Sequence, residues 1–120
     1  MKSYTDIEQS KKLAKILPIE SADMGWYYSR DPQAARNQMW AGTKAENADI
    51  PCWSLAALLG VLNSIDGWYP GIDSQINGNM WQICMFSYET GSDINTAAIN
   101  KELVDTCYEV ILKLHERKML

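Results

Sequence analysis

The sequence predicts an α+β fold, in which a small, mostly antiparallel sheet of three strands packs against about three helices. Residues 5–17 and 101–116 show the apolar spacing of amphipathic helices. Residues 55–62 form an almost unbroken apolar run with helical spacing. Asn77 and Gly78 lie between two apolar-containing runs and indicate a β-hairpin. The predicted order of elements is α-β-α-β-β-α.

The first helix is predicted to begin at Thr5 as N-cap, with Glu8 completing a capping box and Pro18 ending the helix. Residues 22–30 are predicted to be a strand, because this short segment is rich in aromatic residues. We expect this strand at an edge of the sheet. Residues 31–49 show no sustained period and are interpreted mainly as a long loop.

The stretch PCWSLAALLGVL, residues 51–62, predicts a buried helix that starts with Pro51, whose missing N–H is tolerated in the first turn. Cys52 would then lie near a helix N-terminus, where the thiol pKa can fall. A cysteine enzyme also needs a base within reach, and the single histidine, His115, belongs to the basic end of the last helix. Cys52 is therefore interpreted as a buried, space-filling residue.

The hairpin has a defined predicted register. The two-residue turn places Ile72 opposite Ile83. In the same register, Ser74 lies opposite Trp81. The strand at residues 80–88 carries apolar residues on both faces, which predicts a central position in the sheet.

The last helix has the clearest apolar stripe, with either Thr96 or Asn100 as its predicted cap. The stripe is predicted to be buried and consists of Leu103, Val104, Cys107, Val110, Ile111 and Leu114. Together these elements predict a single α+β domain spanning residues 1–120.

Composition excludes several classes of function. The net charge is −4, and lysines and arginines cluster only towards the two ends of the 120-residue chain, which argues against nucleic acid as a partner. The first ten residues lack the apolar region of a secretory signal, and no apolar run approaches the ~18 residues of a membrane span. We therefore expect a cytoplasmic protein without a membrane segment. Three widely spaced cysteines and one histidine predict no metal site, and no cofactor-binding motif is present.

Aromatic residues supply the candidate binding site. Trp53, Trp81 and Phe86 are predicted to be core residues. Other aromatic residues lie on the predicted edge strand, the long loop and a turn, where a recognition surface could form. This candidate interaction surface consists of Trp26, Tyr28, Trp40, Trp68 and Tyr69. The alternative for Trp40 is that the long loop folds back and this ring covers the open face of the sheet.

Four pieces of the sequence carry a resemblance to a known family: ESADMGWYY, DIPCWSLAALLGVL with its PCWSLAALL motif, GNMWQICMFSYE, and DTCYEVILKLHERKML with its ILKLHE motif. Together they resemble a family of small uncharacterised proteins of Bacteroides-group gut bacteria, often encoded in phage-like or conjugative elements. The resemblance implies a cytoplasmic accessory protein of a mobile element. It implies no activity, cofactor or catalytic residue.

Two functional hypotheses follow. The first is a non-catalytic module that binds a protein partner, or a second copy of itself, through the aromatic surface. The alternative is a small-ligand-binding protein or enzyme, with a pocket near Cys52 and Tyr69. Four acidic residues flank the hairpin and are interpreted as solvated turn residues: Asp66, Asp73, Glu89 and Asp93.

Overall fold

The computed structural model of the protein describes residues 1–29, 38–43, 47–75, 79–94 and 97–120. These residues form three α-helices, one short 3-10 helix and six strands. In chain order they are α1 (Ile7–Leu13), the 3-10 helix (Ile19–Ser21), β1 (Met24–Tyr28), β2 (Met39–Thr43), β3 (Ile50–Cys52), α2 (Leu55–Asn63), β4 (Trp68–Gln75), β5 (Met80–Ser87), β6 (Ala98–Asn100) and α3 (Leu103–Glu116). The predicted α+β class is confirmed. The strands form two antiparallel three-stranded sheets, however, where one sheet was expected.

The first sheet has the strand order β2-β1-β3. Trp26 on β1 lies opposite Ala41 on β2 and Ile50 on β3, so β1 is the central strand and its expected edge position is wrong. The interpretation of residues 31–49 as mainly loop is also wrong for 39–43, which form β2. The remainder of that segment lies partly outside the described residues.

Pro51 and Cys52 belong to strand β3 and do not start a helix. Pro51 pairs with Gly25 of β1, and β3 is an edge strand, where a residue without an N–H is tolerated. Helix α2 begins three residues after Cys52, at Leu55, because Ser54 is its N-cap and the Ser54 hydroxyl accepts a hydrogen bond from the Ala57 amide at 3.1 Å.

The second sheet has the order β4-β5-β6, and β5 is central as predicted. The predicted register is also confirmed, since Ile72 pairs with Ile83 and Ser74 pairs with Trp81. The Asn77-Gly78 turn itself lies outside the described residues. The third strand, β6, was not predicted.

The helix caps differ from those predicted. Asp6, and not Thr5, caps α1, with Gln9 in place of Glu8 completing the capping box. Helix α3 begins after Glu102 as its N-cap, without a side-chain cap. Asn100 is instead part of β6, where its side-chain oxygen accepts a hydrogen bond from the Glu102 amide at 3.2 Å. Thr96 lies outside the described residues.

The hydrophobic core lies between the helices and the inner face of the second sheet, which is the face that carries Ile83, Met85 and Ala98. Every residue of the predicted α3 stripe is buried, as is Trp53. Trp81 is only half-buried against the core. Phe86 is also half-buried, but it alternates with Met85 and therefore points to the opposite face of the sheet, so its core assignment is wrong.

The beginning of the chain is fastened to α3 through Lys2. The Lys2 amide donates a hydrogen bond to Glu102 Oε2 at 2.8 Å, and Lys2 Nζ donates to Asp105 Oδ1 at 2.7 Å. Partial burial disfavours both charges, but the hydrogen bonds and charge attraction outweigh it, which lowers the pKa of Asp105 and raises the pKa of Lys2. Lys2 also pairs with Asp6 of the α1 cap.

Alkaline pH is expected to destabilise the fold through Cys107. This α3 thiol is fully buried, and desolvation raises its pKa to about 12. An unfolded cysteine ionises at about pH 8.5, so the stabilising contribution is fully present below that pH and is lost as the pH rises towards 12. We expect this thiol to reduce the free energy of unfolding by about 1.4 kcal/mol per pH unit above pH 9.

Urea unfolding at pH 7 to 10.5 tests this, with Cys107→Ala as the comparison. The variant loses stability at all pH values through its cavity, but its decline with pH is expected to be shallower than that of the unmodified protein. Equal slopes in the two proteins would contradict a buried neutral thiol at position 107.

Candidate functional site

The structure does not bring the five residues of the candidate interaction surface together. Successive strand residues point to opposite faces. Trp26 and Tyr28 therefore share one face of the first sheet, whereas Trp40, which pairs with Tyr27, lies on the other. On the second sheet, Trp68 lies on the inner face and Tyr69 on the outer face. The five side chains are thus distributed over two sheets and both faces of each.

Trp26 supports the first sheet. Its indole Nε1 donates a hydrogen bond to the Thr5 carbonyl oxygen at 3.1 Å. The edge of its ring meets Tyr4, with 5.7 Å between the ring centroids and an angle of 71° between the planes. These contacts hold the residues before α1 against the sheet, so Trp26 has a structural role.

Trp40 forms an exposed patch with Tyr27. Their rings stack at 4.7 Å, and the Tyr27 hydroxyl donates to the Thr43 carbonyl at 2.8 Å. Trp40 also lies over Gly42, where a Cβ would come within 2.6 Å of the indole. Trp40 thus lies over part of its own sheet face as a residue of strand β2, and not on a loop that folds back over an open sheet, and 54% of its surface remains exposed.

Trp68 belongs to the edge of the core. It is half-buried and lines a cavity of about 350 Å³ together with Ile65, Met119 and Leu120. Its indole therefore lies beside the cavity between the residues that follow α2 and the end of the chain, and part of the ring remains exposed.

The outer face of the second sheet carries a different aromatic cluster. We call "outer face" the surface formed by Tyr69, Cys84, Phe86, Tyr88 and Ile99, which point away from Ile83 and the core. Tyr69 pairs with Phe86, and their rings lie 5.7 Å apart at 29°. Tyr69 also meets Tyr88 at 4.7 Å. The exposed fractions of Tyr88 and Ile99 are 72% and 50%.

Gly71 explains why the rings of the outer face lie flat on the sheet. The ring of Phe86 occupies the position above Gly71, and a Cβ at residue 71 would overlap it. Gly71 pairs with Cys84, so the ring of Phe86 reaches Gly71 diagonally across the two strands. This contact holds Phe86 in place, and Phe86 in turn supports Tyr69.

Cys84 lies within the outer face and is half-buried. Desolvation is the first cause of its raised pKa, and the nearby carboxylates of Asp93 and Asp73 raise it further. The thiol therefore stays neutral at physiological pH.

Cys52 is fully buried between β3 and the start of α1. Burial raises its pKa, and hydrogen bonds with Thr5 and Ser10 only partly oppose this effect. Thr5 Oγ1 lies 3.6 Å from the sulfur and also accepts a hydrogen bond from the Trp53 amide at 3.1 Å. Cys52 therefore faces the interior beside the first sheet, whereas Tyr69 lies on the outer face of the second.

The predicted interaction surface lacks four members of the outer face, namely Cys84, Phe86, Tyr88 and Ile99. The alternation of Phe86 and Tyr88 along the chain was a usable signal that both point to one side of the strand. Ile99 had no such signal, because β6 has only three residues and directly precedes a helix.

Comparison of the chain with known protein families, curated proteins and solved structures finds no match. Within the described residues, no cluster of three or more histidine, cysteine or acidic side chains could hold a metal ion. The described helices include none that is both long and apolar enough to cross a bilayer.

Proposed function

We propose that the protein is a non-catalytic interaction module that binds a protein partner through the outer face of its second sheet. The observation that carries this proposal is the Tyr69–Phe86–Tyr88 ring cluster, in which the exposed Tyr88 lies beside two half-buried rings, together with the exposed Ile99 on β6. Contiguous exposed apolar surface of this kind is typical of binding sites, and tyrosine is frequent among residues that dominate binding energy.

The packing of the sheet supports the same conclusion. Helices α2 and α3 pack on the inner face, where Ile83 and Met85 are fully buried. Ile99 on the outer face is half exposed, although it directly neighbours the buried Ala98. In the isolated chain, the apolar residues of the outer face thus remain partly in contact with water. A partner that covers this face would remove that apolar surface from water and so stabilise the complex.

The state of the thiols favours a binding role over catalysis. Cys52, Cys84 and Cys107 all have raised pKa values because of burial, so each is a poor nucleophile at neutral pH. The Nδ1 atom of His115 lies 3.1 Å from the Leu120 carbonyl at the end of α3. The ligand-binding alternative near Cys52 and Tyr69 has no supporting contact, because these side chains lie on different sheets.

The biological context remains a prediction. A cytoplasmic accessory protein of a mobile element is supported only by the family resemblance of the sequence. An interaction module is compatible with such a role, since accessory proteins act by binding others.

Selection of peptides from a displayed random library against the folded protein tests the proposed surface. We expect selected peptides to perturb backbone amide resonances on β4, β5 and β6. The double variant Tyr88→Ser with Ile99→Ser is expected to weaken their binding by at least about ten-fold, because it removes the two most exposed apolar side chains of the face. Isothermal calorimetry measures the loss.

A matched control is available on other parts of the chain. Tyr28 and Ile19 are also an exposed tyrosine and isoleucine, with exposed fractions of 47% and 51%. The double variant Tyr28→Ser with Ile19→Ser should bind the selected peptides as tightly as the unmodified protein. Equal losses of peptide affinity in the two double variants, or peptides that bind elsewhere on the protein, would refute the assignment of the outer face as the binding surface.

A further inference from the structure

We infer that the segment that binds the outer face is cationic, and that its arginine or lysine side chains lie across the Tyr69–Phe86–Tyr88 rings. This inference rests on the proposed function and adds the chemistry of the partner. It is supported by three features of the second sheet: its aromatic rings, its acidic surroundings and the distribution of charge along the chain.

Charge is distributed very unevenly along the chain. Residues 45–100 contain six acidic residues and no lysine, arginine or histidine. All three strands of the second sheet lie in this stretch. Residues 68–100 thus contain three acidic residues and no basic one. Helix α3 brings a cation to this sheet edge, Lys113, whose Nζ donates a hydrogen bond to the Ala97 carbonyl. Because the acidic residues outnumber it, a positively charged partner is electrostatically complementary to the sheet.

Acidic residues lie around the rings of the outer face. Asp73 has an outward position on β4 and pairs with Gln82, and it is exposed. Glu89 directly follows Tyr88, and it is also exposed. Asp93 forms an isolated antiparallel bridge with Phe86, the central ring of the cluster. Glu89 and Asp93 thus lie directly beside the ring cluster, whereas Asp73 lies four strand positions from Phe86, further along the same outer face.

The nearest lysine in sequence lies at the far end of the sheet. Lys101 follows Asn100, which pairs with Trp81, whereas the ring cluster surrounds Phe86. Trp81 and Phe86 are five positions apart along the strand, which corresponds to about 17 Å. That distance exceeds the Debye length of about 8 Å at physiological ionic strength, so Lys101 does not neutralise the cluster.

Ring and carboxylate together suit an arginine side chain. The guanidinium group stacks on aromatic faces, and its remaining N–H groups can donate to a carboxylate at the rim. The aliphatic part of the same side chain would cover the exposed ring of Tyr88. Nucleic acid, an anionic membrane or a second copy of this acidic face would instead bring like charges together. The observations therefore favour a basic segment of another protein.

Two peptide libraries that differ only in charge test the inference. One library carries arginine or lysine at alternate positions, and the other carries glutamine or glutamate at the same positions. We expect ligands from the basic library, and we expect arginine-to-glutamine changes in a selected peptide to weaken its binding by about ten-fold or more. Binding should also weaken as salt is raised from 50 to 300 mM.

Charge variants of the protein test whether the acidic residues of the outer face cause the preference for basic peptides. Asp73→Asn with Glu89→Gln is expected to weaken binding of a selected basic peptide by about five-fold. The control variant Glu8→Gln with Glu20→Gln removes the same charge from exposed positions outside the second sheet, and we expect less than a two-fold change.

The outcomes separate the inference from the proposed function. Glutamine-rich peptides that bind the outer face as well as basic ones would overturn the cationic partner and leave the interaction module standing. Basic peptides whose binding is unaffected by Tyr88→Ser with Ile99→Ser would overturn the site for both. Failure of both libraries to give a ligand on this face would count against both.

Discussion

Replacement of Trp53 by alanine is expected to lower the free energy of unfolding by about 3–5 kcal/mol. Trp53 is fully buried, and its Nε1 donates a hydrogen bond to Ser21 Oγ at 2.9 Å. The variant would leave a cavity in the core and remove the donor to Ser21 Oγ, which would keep its own hydrogen bond to the Pro18 carbonyl. Because small domains have a total stability of about 5–15 kcal/mol, a loss of this size brings the protein close to global unfolding.

Urea denaturation followed by circular dichroism measures this effect, with Trp40→Ala as the control. Trp40 is about half exposed, and its replacement removes the stack on Tyr27, which corresponds to about 0.5–1.5 kcal/mol. The loss in free energy of unfolding should therefore be clearly larger for Trp53→Ala than for Trp40→Ala. Equal losses of stability would mean that Trp40 belongs to the core and that the described packing of Trp53 is incorrect.

Two glycine-to-alanine changes are expected to have opposite effects on the stability of the protein. Gly25 is buried in the central strand of the first sheet, and a Cβ at this position would overlap the Cβ of Ala48. Since neither atom belongs to a flexible side chain, the strand must shift, and we expect Gly25→Ala to destabilise the protein by about 1–3 kcal/mol. Gly60 lies within α2 with open space around it, so Gly60→Ala should stabilise by about 0.5–1 kcal/mol.

Thermal unfolding of both glycine variants tests these two predictions. The melting temperature is expected to fall for Gly25→Ala and to rise for Gly60→Ala. Because the substitution is chemically identical, a general effect of alanine on the unfolded chain cancels in the comparison. A stabilised Gly25→Ala variant would contradict the close approach of residue 48 to β1.

The elements that the sequence predicts correctly are those with long, regular patterns. The α3 stripe spans several helical turns, and all of its predicted core residues are buried. The register of β4 with β5 follows from the position of a two-residue turn, because strand pairing has a strict period of two. In both cases the local pattern alone determines which side chains face inwards.

The elements that prediction missed are short, or have sequence patterns that fit a helix and a strand equally well. β3 and β6 contain three residues each, which is too few for a period to be detected. Pro51 is acceptable both in the first turn of a helix and on an edge strand, because its missing N–H is harmless in either place. The presence of a second sheet depends on pairing between β1, β2 and β3, which is a long-range property.

The candidate site was only partly predictable for a related reason. Alternation shows which residues share a face, but not which face a helix will cover. Tyr69 is part of the outer face, whereas the indole of Trp26 is hydrogen-bonded to Thr5 and Trp68 packs at the edge of the core. Phe86 lies on the predicted side of β5, opposite Ile83 and Met85, but that side is not the core, and two apolar faces give no signal of which one the helices cover.

The fastening of Lys2 to α3 has a consequence for the folding kinetics. The Lys2–Asp105 hydrogen bond joins residues 103 positions apart, whereas each sheet pairs strands from a single half of the chain. Closing a loop of about 100 residues costs roughly 2 kcal/mol more entropy than closing one of about ten. The two sheets can therefore assemble before this contact exists, and docking of the first residues onto α3 becomes a late step of folding and an early step of unfolding.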